Sequence, residues 1–169
     1  MDYEIVDLAD FSGSGGTIYS VIPEGHSQTL FETFIEENIK DHPEEVRILI
    51  ANLRVIGGEL GMRERYFKPN EGGLGDQICA MYVHSGAGLR LYFIRYGSDV
   101  IILGGGGYKA IGVRAWQDDP KLKEEAELLI RLSKDIGGRL ITKEDLWWSP
   151  DRRHIEGDLK KYGSQEEEP

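Results

Sequence analysis

The stretch GLRLYFIRYGSDVIILGGGGYK, Gly88 to Lys109, decides how the chain is read. Two runs of mostly apolar residues flank a short Gly-Ser turn, which predicts a tight β-hairpin. Side chains alternate along a strand, so Leu89, Leu91 and Phe93 share one face with Arg95, while Arg90, Tyr92 and Ile94 share the other with Tyr96. The second strand runs into four glycines and ends at Tyr108 and Lys109. Just upstream, QICAMYV precedes the turn HSGAG, so the three strands form an antiparallel meander.

Working outward, YEIVDLAD and TIYSVIPE read as strands joined by the turn FSGSGG. HSQTLFETFIEENIKDHP predicts a helix with Ser27 as N-cap and Leu30, Phe31, Phe34, Ile35 and Ile39 on one face. Pro43 opens a second helix with Glu44 and Glu45 in its first turn, an apolar series from Val46 to Ile56, and a Gly57-Gly58 stop. The pair is an αα-hairpin. Residues 57–75 read as loop with a short edge strand around Arg65 to Lys68. After the meander, Pro120 opens a helix that the Gly137-Gly138 pair is expected to stop. The predicted class is α+β: an N-terminal hairpin and a meander in an antiparallel sheet, with the helices on one face. Residues 1–150 form the domain, and 151–169 an acidic, flexible tail. With the helices over Leu91 and Phe93, Arg90 and Tyr92 would point into an open concave face.

The 169 residues carry a net charge of −10, which argues against a broadly basic, nucleic-acid-clinging surface. The balance is uneven. Residues 1–83 hold six basic against fifteen acidic side chains, residues 118–169 ten against fourteen, and residues 84–117 four against one. The quoted stretch therefore lies in the one positive segment. A lone cysteine, Cys79, excludes an internal disulfide, and His26, His42, His84 and His154 show no metal-ligand spacing. No metal or other cofactor is expected. The glycine run is no Walker loop, because Tyr108 stands where the glycine before the lysine belongs, and FSGSGG lacks the frame of a hydrolase nucleophile elbow. With no apolar run of spanning length and an acidic start, the protein is expected in the cytoplasm without membrane contact.

In the order of its elements, from Ile18 to Gly138, the chain resembles the RelE/HigB-like toxins of bacterial type II toxin-antitoxin systems. The residues that carry the resemblance are LRLYF with Arg90, VIILG, GGYK with Lys109, and the approach FKPNEGGLGDQICAMYV. The resemblance implies a metal-independent endoribonuclease cleaving mRNA on the ribosome. In such a site Arg90 would grip the scissile phosphate through its guanidinium fork, Lys109 would add a second cation, and His84 and Tyr108 would serve proton transfer or base stacking. Tyr92 and Arg114 would contact the RNA. It also implies an antitoxin partner, often of helix-turn-helix type, through which alone the pair would touch DNA. A second reading stays open: a non-catalytic or gyrase-directed protein-binding relative on the same scaffold. The acidic surface, the uncharged CAMYV strand and Ala110 in place of a second basic residue favour it.

Overall fold

The computed structural model describes residues 1–62, 67–69 and 77–161. Nine strands and three helices follow in the order β1 (Tyr3–Asp7), β2 (Thr17–Pro23), α1 (Leu30–Asn38), α2 (Pro43–Val55), β3 (Phe67–Pro69), β4 (Ile78–Tyr82), β5 (Gly88–Tyr96), β6 (Val100–Lys109), α3 (Pro120–Thr142), β7 (Leu146–Trp148), β8 (Ile155–Gly157) and β9 (Lys160–Lys161). The class is α+β. The main sheet has seven strands ordered β3-β4-β5-β6-β2-β1-β9, and β7 and β8 form a separate ribbon. The β1/β2 hairpin and the β4-β5-β6 meander are antiparallel, as predicted. They are joined by one parallel pair, β2 on β6, with Thr17 opposite Val100. The expected edge strand survives as Phe67–Pro69, and the rest of residues 57–75 beyond Met62 lies outside the described residues. Among the described residues no helix is long and apolar enough to cross a membrane.

Local signals explain the first two helices. Thr29, not Ser27, caps α1: its hydroxyl accepts from the Glu32 amide while the Glu32 carboxylate accepts from the Thr29 amide, a reciprocal capping box. Pro43 begins α2, with Glu44 and Glu45 beside its positive end. A π turn over Ile56–Leu60 then leads out, consistent with the expected Gly57-Gly58 stop.

The helices do not share one face. Phe31 and Phe34 of α1 and Val46, Leu49 and Leu53 of α2 pack with Leu89, Leu91 and Phe93 of β5 and Ile101 and Leu103 of β6. On the other side, Leu122, Ala126, Leu129, Leu132 and Ile136 of α3 cover Tyr92 and Ile94 of β5 and Val100 and Ile102 of β6. The sheet is the middle of three layers, so the open concave face expected beside Arg90 and Tyr92 is filled by α3.

The glycine run explains how α3 gets so close. A Cβ on Gly104 would sit 3.0 Å from the Leu129 side chain, and one on Gly105 2.2 Å from Glu125 Oε1. One on Gly106 would lie 1.8 Å from the Arg90 carbonyl oxygen. The register slips here, with Leu91 opposite Gly106 but Phe93 opposite Leu103, the extra residue of a β-bulge. These glycines seat a helix and a bulge.

Gly137 and Gly138 do not stop α3, which continues to Thr142 and ends with Lys143 in the left-handed conformation, φ 60°. Of the expected tail, residues 151–161 are folded, and residues 162–169 lie outside the described residues. β8 pairs with β7, and β9 pairs with β1. Polar contacts clamp it: the Lys161 ammonium donates to both oxygens of Asp135 at 2.7 and 2.8 Å, and Tyr3 donates to Asp135. Arg139, buried, donates to Tyr3 Oη, Asp145 Oδ1 and the Asp158 carbonyl. Burial pushes the Asp135 carboxyl up, but the hydrogen bonds from Lys161 and Tyr3 outweigh it and the net shift is downward.

Three predictions follow from this packing. Gly137→Ala and Gly138→Ala should each stabilise the fold by about 0.5–1 kcal/mol in urea unfolding, because no atom lies within 4 Å of either new Cβ and alanine is the better helix former. Gly106→Ala should destabilise it strongly. Because the Asp135 pKa is depressed on folding, its contribution is present above the unfolded carboxylate value of about 4 and is lost as pH falls through the folded value. Asp135→Asn should therefore lower stability at neutral pH and flatten the acid limb of the stability curve.

Candidate functional site

The residues expected to meet RNA lie at the end of the sheet where β5 begins and β6 stops. Arg90 is there but is not available to a ligand: it is 3% exposed. Its Nη1 donates to the carbonyls of His84 and Leu89, both at 3.1 Å, and its Nη2 to those of Ser85 at 3.1 Å and Gly86 at 2.7 Å. The guanidinium also lies 5.1 Å from the Tyr82 ring centroid. Arg90 thus holds the turn between β4 and β5 closed, with loop carbonyls in place of phosphate oxygens. Tyr92 is 1% exposed and belongs to the core beneath α3. Both are corrections to the expected exposed pair.

The other expected residues are at the surface. Tyr108 is 40% exposed and stacks on His42 with ring centroids 4.3 Å apart and planes 5° from parallel. Lys109, partly buried, donates to the Arg114 carbonyl at 3.4 Å. His84 and Arg114 are exposed. The structure brings Tyr108, Lys109 and Arg114 to one corner. Arg90 itself, with its donors on the β4/β5 turn, does not supply the phosphate grip assigned to it there.

The opposite end of the sheet carries a cleft of about 660 Å³. One wall is the β5/β6 turn with Tyr96, Gly97, Ser98 and Asp99, next to Gln77. Another is the last part of α3, with Gly137, Leu140 and Ile141. The third is Trp148 and the following turn, with Asp151 and Arg152. The volume is in the range of small-molecule sites, and the lining mixes apolar surface with a few polar groups, as such sites do.

Tyr96 is the feature that packing alone leaves unexplained. Its ring meets Trp148 edge-on, with centroids 5.1 Å apart. Its hydroxyl is out of contact with solvent and has no hydrogen-bond partner among the described residues. Burial alone pushes its pKa up. Buried hydroxyls are normally paired, so an orphan in a cleft wall is an exception that calls for a partner.

The Trp148–Arg152 turn is built rigidly. Asp151 Oδ1 accepts from the Ser149 hydroxyl at 2.6 Å and from the Arg153 amide at 3.0 Å, and those hydrogen bonds hold its carboxyl ionised, below the usual range. The Arg152 amide donates to the Ser149 carbonyl at 2.8 Å. Arg153 reaches the Ser14 carbonyl at 2.6 Å and approaches Asp99 at 3.6 Å. The result puts Arg152 at φ 61°, a left-handed conformation costly for a residue with a Cβ. Its guanidinium sits 5.6 Å from the Trp148 ring centroid, and among the described residues it has no hydrogen-bond or carboxylate partner.

Set beside known proteins, the chain matches no family model, no curated protein and no solved structure. Tyr96 and Arg152 were visible in the sequence but carried no motif, since they lie 56 residues apart on either side of a long helix. Trp148 lies between them, in contact with both.

Arg90→Ala should unfold more easily by about 2–5 kcal/mol, because four backbone carbonyls lose a charged donor and the buried side chain leaves a void. Tyr96→Phe should do the reverse, gaining about 1–2 kcal/mol in the same assay by removing an unpaired buried hydroxyl.

Proposed function

We propose that this protein is a binding protein without chemistry of its own, and that it works by holding a small molecule in the cleft between the β5/β6 turn and the end of α3. The observation that carries the reading is the cleft itself, about 660 Å³ and lined by Tyr96, Trp148, Leu140 and Ile141 beside the cation Arg152. This agrees with the second sequence reading in being non-catalytic, and differs from it in the size of the partner.

The toxin reading, with mRNA on the ribosome as substrate and an antitoxin as partner, keeps one specific support: the Tyr108–His42 stack beside Lys109 and Arg114, an aromatic and basic corner of the kind that stacks a base. It would have to operate without Arg90, whose donors are spent on the β4/β5 turn.

The two readings separate in one pair of measurements. In amide and indole NMR spectra recorded against a fragment library, binders should shift resonances of Tyr96, Ser98, Ile141 and Trp148 together, and Gly137→Leu should abolish those shifts by filling the cleft. Induced expression should cause no growth arrest and no new mRNA ends. Arrest with new ends, lost in a folded Tyr108→Ala/Lys109→Ala variant, would overturn the binding-protein reading in favour of the toxin.

A further inference from the structure

We infer that the ligand of the cleft is an organic oxyanion with an apolar or aromatic body, its acidic group paired with Arg152 and its body lying against Trp148, Leu140 and Ile141. This rests on the cleft being the functional site.

The charges of the lining decide the sign. Asp99 faces Arg153 at 3.6 Å, and Asp151 is held by the Ser149 hydroxyl and the Arg153 amide, so both carboxylates are engaged within the protein. They disfavour an anion placed against them; Arg153 screens Asp99, whereas Asp151 keeps its charge, so an anion would have to pair with Arg152 alone. Arg152 is the cation of the lining and has no such engagement. A planar guanidinium presents a fork of donors that fits two oxygens of a carboxylate or phosphate.

The position of that cation is costly. A left-handed arginine is strained by about 1–3 kcal/mol, and its contact with the half-buried Trp148 indole returns about 0.5–1. The turn that imposes the strain is itself tied down by Ser149, Asp151 and Arg153, so Arg152 is aimed rather than merely accommodated. Trp148 links the two uncommitted groups, with Arg152 over its ring and Tyr96 against its edge. An acid bound to Arg152 would extend across Trp148 toward the Tyr96 hydroxyl. The far wall leaves room for it. Gly137 faces open space where any side chain would intrude, and Ile141 is 79% exposed at the rim, an apolar surface without cover.

The test compares two fluorescent probes of nearly the same shape: anilinonaphthalene sulfonate, which carries an oxyanion, and phenylnaphthylamine, which does not. Wild type should bind one equivalent of the sulfonate about 10-fold or more tighter than the neutral probe, the range expected of one charged hydrogen-bonded contact. Arg152→Gln, checked for folding by circular dichroism, should lose that preference while binding the neutral probe as before. Gly137→Leu should bind neither. Competition then sorts the acid: displacement by benzoate marks a carboxylate and displacement by phenyl phosphate a phosphate ester. Equal affinity for the two probes in wild type, or a preference that survives Arg152→Gln, would overturn the oxyanion assignment and leave the cleft standing. Binding of neither probe to wild type, or undiminished binding of both to Gly137→Leu, would overturn the cleft as a site.

Discussion

The distance between α3 and β6 governs the rest of this structure. Helices ordinarily rest on a sheet at a separation set by two layers of side chains, and four consecutive glycines in β6 remove one of those layers. Leu129 and Glu125 then reach the strand itself, the bulge at Gly106 brings the Arg90 carbonyl against β6, and the second face of the meander closes. A side chain at Gly105 or Gly106 would hold the helix off or break the bulge, and the face carrying Tyr92 would open. That open face is the surface on which a sheet-borne RNA site depends.

This same closeness explains what could and could not be read from the chain. The two faces of β5 were legible from alternation alone, and the structure sorts Leu89, Leu91 and Phe93 from Tyr92 and Ile94 as the period-two rule requires. That both faces are covered was also written there, in the near-continuous apolar run LYFI and its partner VIIL, which is the pattern of strands buried on two sides. The arginine hid it. A strand arginine reads as exposed, and its burial depends on three carbonyls at positions 84–86 whose direction no local pattern specifies. The parallel β2/β6 pair was illegible for a related reason: it joins residues 83 apart, and nothing in either strand marks a parallel neighbour. The glycine pair at 137–138 misled in the opposite direction, since a helix already paired along its length with a sheet absorbs about 2 kcal/mol of poor propensity without ending.

The two ends of the sheet differ in how their cations are used. At the β5 start, Arg90 serves the fold, and the charge that gives residues 84–117 their positive balance is partly internal. At the far end, Arg139 and Lys161 are likewise consumed, by Tyr3, Asp135, Asp145 and Asp158. In both places a buried or half-buried cation has several acceptors around it, which is the condition under which burying it is tolerable. Arg152 differs from them in being exposed, with a left-handed backbone and no acceptor among the described residues. A formal charge count of segments does not register this difference, because it weighs a spent arginine and an unspent one alike.

Natural sequences tend to agree with their folds at every level, and disagreements concentrate where function has a claim. Around the cleft three disagreements meet: a helix interior with two glycines that no contact requires, a left-handed arginine, and a buried hydroxyl with nothing to bond. Each is relieved by a single common substitution, to alanine, to glycine and to phenylalanine. They lie on three different elements, the end of α3, the turn after β7 and the end of β5, so no one local accident produces them all. What they share is the space they enclose. On the proposed reading their shared cause is a molecule that fills that space and needs the backbone of α3 left bare to fit.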